Sequence, residues 1–207
     1  MYIPPALRQT DVEAQRALIA AHPLAQLISL GEQGLQADPL PLLLDSYPDG
    51  AWRLRGHLAR ANPHGKSLAR DGTCLVIFQG EAGYISPGWY VAKAEHGKVV
   101  PTWNYQTVHC HGQAQVINDP AWLMALLRVL TDNQEARRQA PWRVEDVPPP
   151  GFIDTLIGAI VGIEIRVTRT EAKWKLSQNR SCADRDGAIA GLMADGNGPL
   201  AREMGRG

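Results

Sequence analysis

The sequence predicts an α+β fold, a small β-barrel with helices outside it. Three observations point there. Six or more short strands can be read along the chain, with few helices between them. No strand–helix alternation of the βαβ kind occurs, and no GxGxxG turn, which argues against a dinucleotide-binding Rossmann domain. The chain has 207 residues, 44% of them apolar, enough to bury a core without disulfide or metal staples. The expected organisation is one domain over residues 1–192 and a flexible tail over 193–207.

The elements follow from local signals. Thr10-Asp11-Val12-Glu13 reads as a capping box with Thr10 as N-cap, opening a helix that His22-Pro23 stops near Ala21. Leu24 to Leu30 reads as a strand. Leu35 to Leu44 reads as a second, with Pro39 and Pro41 placing part of it on an edge or bulge. Trp52 to His57 alternates as a third. Asn62-Pro63 is an N-cap followed by Pro at the first helical position, starting a short helix through Arg70. Cys74 to Gln79 and Tyr84 to Ser86 read as two strands, and Thr102 to Ile117 as a long one. Asp119-Pro120 caps a helix with Trp122, Leu123, Leu126, Leu127 and Leu130 on its apolar face. Pro148-Pro149-Pro150 ends a loop before a short helix near Phe152 to Ile157. Ile160 to Val167 alternates and extends towards Trp174. A helix is expected near Ala188 to Ala194, and the tail from Gly196 reads as frayed.

Composition limits function. Lys+Arg and Asp+Glu are both 21, so bulk charge does not equip the chain to grip nucleic acid or an anionic membrane. The N-terminus lacks an apolar signal-peptide region, and the longest apolar run, Leu156 to Ile163, is too short to span a bilayer. Three distant cysteines form no framework, and the expected home is a reducing cytoplasm. GxSxG, HExxH and Walker A patterns are absent. His109 and His111 share a strand face but have no matching second cluster, so they read as structural, and no metal is expected.

Three segments could carry chemistry. Tyr84 to Tyr105 holds five of the thirteen aromatics, interleaved with Ser86, Thr102 and Asn104. Such a set suits a flat, polar-edged ligand, or equally a Trp/Tyr-rich core and interface. Glu164 to Arg180 carries Arg166, Arg169, Lys173, Lys175 and Arg180 and ends in the donor-dense string KWKLSQN. Those donors suit a phosphate or flavin rim, or else form a solvated strand. Gly56 to Pro63 places His57 and Arg60 before the helix start at Asn62. That arrangement suits a phosphate, or is ordinary capping.

Together these strings resemble the PaiB-type FMN-binding negative transcriptional regulators. The matching pieces are Met1-Tyr2-Ile3-Pro4, Leu40-Pro41-Leu42, Gly56-His57 through Arg60-Ala61-Asn62-Pro63 and Tyr84-Ile85-Ser86-Pro87. Trp89-Tyr90, the string VPTWNY (100–105), Val108-His109, Trp142 and KWKLSQN (173–179) complete them. The resemblance implies a split β-barrel like that of pyridoxamine phosphate oxidases, a homodimer, and FMN bound between subunits. It implies that His57, Arg60 and Asn62 face the phosphate. It implies that Pro39 to Leu43 and the aromatic segment (Ser86, Trp89, Trp103, Asn104, Tyr105) border the isoalloxazine ring. Lys175, Ser177, Gln178 and Asn179 are implied to reach FMN in the partner subunit. Gly88 stands where the family usually has Ser, and Glu81 where it usually has Pro. The function implied is an FMN-binding homodimeric flavoprotein, and flavin-dependent oxidoreductase activity is one reading of it. The alternatives are a repressor that binds DNA directly through a basic surface, without turnover, and a barrel that sequesters haem or flavin.

Overall fold

The structure is a computed structural model, and it describes residues 1–146 and 151–206. The proline run expected to end a loop before Phe152 lies outside the described residues. Seven strands form one sheet in the order β2-β1-β5-β6-β7-β4-β3. They are β1 (Leu24–Gly31), β2 (Gly34–Pro41), β3 (Leu43–Ser46), β4 (Trp52–Ala59), β5 (Thr73–Ile85), β6 (Thr102–Ile117) and β7 (Ile160–Lys175). The helices are α1 (Val12–Ala21), α2 (Pro63–Arg70), α3 (Ala92–His96), α4 (Pro120–Glu135), α5 (Phe152–Gly158), α6 (Cys182–Ala194) and α7 (Gly198–Gly205). The class is α+β, as the sequence predicts.

The chain divides into two compact units. Unit 1 is Met1–His22, Phe78–His109 and Glu171–Gly207, and unit 2 is Pro23–Ile77 and Cys110–Thr170. The boundaries fall inside β5, β6 and β7, so these long strands run through both.

In unit 2 every registered pair is antiparallel: β1 with β2, β1 with β5, β3 with β4, and β4 with β7. Alternation decides which side is buried. Leu54 and Leu58 of β4 and Val161, Ile163, Ile165 and Val167 of β7 are buried. The β2–β3 segment breaks at Leu42 and lies across β4. A Cβ on Gly56 would come within 2.8 Å of both the Pro41 carbonyl and the Leu42 side chain, so only glycine admits that approach. Leu123 and Leu126 of α4 are fully buried. Gly162 makes room for the Trp122 ring, which would lie 2.3 Å from a Cβ there.

Unit 1 has its own cluster. Ile85, Tyr90, Leu176, Ala188, Leu192, Leu200, Ala201 and Met204 are buried together, with Trp89 and Trp174 against them. The expected frayed tail is thus a packed helix, α7. Asn197 caps it by accepting from the Leu200 N–H, Pro199 stands in its first turn, and Leu200 and Met204 bury one face. Two elements differ from what the sequence predicts. Asp11, not Thr10, caps α1, because its carboxylate accepts from both Glu13 N and Ala14 N. The two strands read at Cys74–Gln79 and Tyr84–Ser86 are one strand, β5, running through Gly80 and Gly83.

Candidate functional site

In unit 2 the turn from β4 into α2 carries His57, Arg60 and Asn62. The Asn62 carboxamide accepts from His64 N at 2.9 Å, which is the capping the sequence predicts. Arg60 is exposed, and its fork serves the chain itself. Nε donates to Gly158 O (2.7 Å), Nη1 to Asn118 Oδ1 (2.8 Å) and Nη2 to Ile160 O (2.8 Å). Each terminal nitrogen keeps one further N–H.

On β4, His57 and Arg55 share a face, and each leaves a buried nitrogen without a partner, Nδ1 and Nε respectively. Burial holds the His57 imidazole below its ordinary pKa of 6.5. The other end of the Arg55 guanidinium meets Asp45 at 2.5 Å, which also receives Arg53. Tyr47 completes this charged surface. It donates to Glu164 at 2.9 Å and lies under Arg53 and Arg166, and its hydroxyl is pushed up to about 12, by burial first and the Glu164 bond second.

The structure adds a constellation that spacing could not reveal. His64 Nε2 lies 2.7 Å from Ser29 Oγ, and its Nδ1 lies 2.6 Å from Asp38 Oδ2. The order Ser–His–Asp is that of a hydrolase triad. Yet Ser29 is 4% exposed and His64 1%, and Ser29 sits in a strand paired on both edges. A substrate has no approach to that hydroxyl, so the relay fastens α2 to β1 and β2. Residues 29, 38 and 64 carry no local motif; only the β1–β2 hairpin and α2 gather them.

In unit 1 the ends of β6 and β7 bring together Trp103, Asn104, Tyr105, Lys175 and Ser177. Asn104 is fully buried, and its amide donates to Ser177 Oγ at 2.9 Å while the hydroxyl lies 3.3 Å from Asn104 Oδ1. Ser177 has φ of +63°, a left-handed backbone that non-glycine residues rarely take, and this bond pins it. Lys175 Nζ donates to Thr102 Oγ1 (2.5 Å) and Trp103 O (2.7 Å), with the Tyr105 ring 5.9 Å away. Gln178 clamps its own turn, accepting from Leu176 N and donating to Trp174 O, both at 2.7 Å. Asn179 is exposed on the same turn.

Ser86 caps the short turn Pro87–Trp89 by accepting from Gly88 N. Trp89 lies against α6, where a Cβ on Gly191 would fall 2.2 Å from its ring. Trp103, by contrast, is 59% exposed and meets Tyr84 edge-on at 6.3 Å.

Burial pushes the Cys74 and Cys110 thiols up to about 12, so neither is a ready nucleophile. Among the described residues no three His, Cys, Asp or Glu gather as a metal site, and no helix is long and apolar enough to cross a membrane.

A family model described as "Putative FMN-binding domain" matches residues 1–169. The Protease synthase and sporulation protein PAI 2 of Bacillus subtilis is 31% identical over 206 residues, spanning 99% of this chain and 94% of that protein. Among solved structures, the FAD and heme binding protein from Mycobacterium smegmatis aligns with a TM-score of 0.62 at 16% identity, over 87% of this chain and 79% of that one. The flavocytochrome Anf3 from Azotobacter vinelandii aligns with a TM-score of 0.59 at 19% identity, over 81% and 69%. The two structural likenesses bear on fold and agree with the split barrel, while the model match and the Bacillus relative establish membership: the chain belongs to the PaiB-type family of FMN-binding domains.

Proposed function

We propose that this protein is an FMN-binding flavoprotein whose cofactor phosphate sits at the turn from β4 into α2. One observation carries the reading: β4 buries His57 Nδ1 and Arg55 Nε without a partner, on the strand that leads into a capped helix start. Unpaired buried polar atoms are costly, and a polar-edged or anionic ligand would complete them. The donor set fits FMN. The second N–H of each Arg60 terminal nitrogen and the positive end of α2 suit a phosphate, and His57 lies two residues beyond Arg55 on the same strand face. When bound, the flavin supplies the redox chemistry; the residues named bind and orient it. An oxidoreductase built this way needs geometry rather than a dedicated acid or base.

The working form we propose is a homodimer in a reducing cytoplasm, where three unpaired cysteines are at home. The exposed Trp103–Tyr84 pair and the exposed Val100 offer unit 1 an apolar surface for a second copy to cover. Ser86, Trp89, Asn104, Tyr105, Lys175, Ser177, Gln178 and Asn179 then act by shaping that surface.

The direct DNA-binding alternative rests on the five cations of residues 164–180, and these are engaged elsewhere. Arg166 pairs with Asp49, Lys173 donates to Tyr2 O, Lys175 binds the backbone at Trp103, Arg180 lies over Tyr90 and Arg169 has a partner.

The test is FMN titration of the flavin-free protein, followed by flavin absorbance and fluorescence. Saturable binding that weakens in His57→Leu supports the reading. Binding that His57→Leu and Arg60→Ala both leave unchanged overturns the assigned site, and absence of flavin binding overturns the function.

A further inference from the structure

Unit 1 contains a cavity of about 680 Å³ that none of the residues discussed for FMN lines. That volume is within the range of small-molecule sites. One wall is apolar. Ala14, Ala17, Leu18 and Ala21 repeat along one face of α1, and Trp174 and Leu176 add to it. The other lining residues include Arg202, Glu203 and Arg206 of α7, Glu81 of β5 and His22 at the end of α1.

Of the two guanidinium groups in this lining, Arg202 and Arg206, only Arg206 has a carboxylate partner among the described residues. Glu203 has both oxygens engaged, Oε1 by Arg206 Nη1 at 2.6 Å and Oε2 by Gln106 Nε2 at 3.1 Å. Glu81 faces His22 Nε2 at 3.9 Å. Arg202, on the same face of α7 as Glu203 and Arg206, has no carboxylate partner among the described residues. A carboxylate closed by two donors does not invite a cation, whereas an unpaired guanidinium beside an apolar wall invites an anion with an apolar body.

We propose that this cavity is a second ligand site, for an amphipathic carboxylate whose apolar body lies against α1 and Trp174 and whose carboxylate meets Arg202. The site shares no residue with the β4–α2 turn, so it stands or falls apart from the flavin reading.

Isothermal titration of the full chain with 1-naphthoate and its neutral amide, 1-naphthamide, tests it. The expected result is one naphthoate bound per chain, with the amide at least tenfold weaker. Arg202→Ala should cost naphthoate about tenfold and leave the amide unchanged. Ala17→Trp should fill the cavity and abolish binding of both. Flavin binding by the same variants should not change, which separates this site from the cofactor. Equal affinity for acid and amide, indifference to Arg202→Ala, or no binding at millimolar probe overturns the proposal. If Ala17→Trp does not fold, Arg202→Ala decides, because Arg202 is exposed and its loss leaves the core intact.

Discussion

The β4–α2 turn of unit 2 and the joined ends of β6 and β7 in unit 1 hold similar inventories of donors, but they satisfy them differently. In unit 1, Lys175, Ser177 and Gln178 all find partners within a few residues of the same two strand ends. Their density is the means by which a left-handed turn at Ser177 is held after the strand stops. In unit 2, Arg60 is engaged in the same way, yet His57 and Arg55 retain buried nitrogens with nothing to meet. A high count of donors therefore does not by itself identify a binding site. The atoms left over after the chain has served itself do so better, because each represents a desolvation cost that the fold alone has not offset.

The largest expected effect probes the satisfied region. Asn104→Leu removes both halves of the Asn104–Ser177 exchange and leaves a buried hydroxyl without its partner. Stability should fall by about 2–4 kcal/mol in denaturant titration, as for the breaking of a buried polar network. The folded fraction should keep its FMN affinity. A loss under about 1 kcal/mol would mean that the turn at Ser177 holds without Asn104, and the contrast between the regions would weaken.

His57→Leu probes the unsatisfied region, and the opposite pattern is expected. FMN affinity should fall about tenfold, the scale of one hydrogen bond to a charged or polar group. The flavin-free protein should be no less stable, since an apolar side chain replaces a buried atom that had no partner. The pH dependence sharpens this. Burial keeps the His57 pKa below 6.5, so the unfolded chain takes up the proton first as pH falls past that value. Stability tied to His57 is fully present above pH 6.5 and declines below it, and His57→Leu should flatten that decline. A variant with the same acid limb as the parent would show that His57 is not the group responsible.

These contrasts also explain what could be read from the sequence. The cap at Asn62-Pro63, the strand Thr102–Ile117 and the helix after Asp119 were legible because their signals are local: a side-chain acceptor, a proline, a run of β-branched and aromatic residues. The helix after Gly196 was hidden because Gly-Asn-Gly-Pro resembles an unravelling tail, and only the Leu200 and Met204 packing shows that Asn197 is a cap. Strand β5 looked broken at Gly80 and Gly83 because glycine reads as a turn. At Gly83 it instead makes room, since a Cβ there would lie 2.6 Å from Asn197 and 2.8 Å from Leu200. The candidate site was legible as a list of residue types. Which donors are already engaged depends on distant pairings, Arg60 with Gly158 or Lys175 with Thr102, that spacing does not encode.

Arg60→Lys comes next in size. Lysine keeps the charge but cannot reproduce a fork that reaches three acceptors. If the fork matters mainly to the chain, the melting temperature should drop by about 2–4 °C, the shift expected from about 1 kcal/mol in a protein of this length. FMN affinity should fall as well, because the same fork presents the remaining N–H groups. Lost affinity at an unchanged melting temperature would make Arg60 a cofactor ligand first and a strut second.

The smallest expected effect comes from Lys175→Ala. The side chain is half-buried, and it joins the end of β7 to the start of β6 through Thr102 Oγ1 and the Trp103 carbonyl. Deleting it leaves that carbonyl near a surface where water can replace the ammonium, so the loss should be about 1 kcal/mol. The flavin spectrum and FMN affinity should be those of the parent, because the ammonium is already bound within unit 1. The opposite outcome, normal stability with affinity reduced tenfold, would mean that Lys175 exchanges Thr102 and Trp103 for a cofactor oxygen. It would also break the comparison, because a satisfied network would then be serving as a binding site and leftover atoms would no longer distinguish the two regions. Measuring stability and FMN affinity on the same preparation decides between these outcomes, since a purely structural lysine moves only the first.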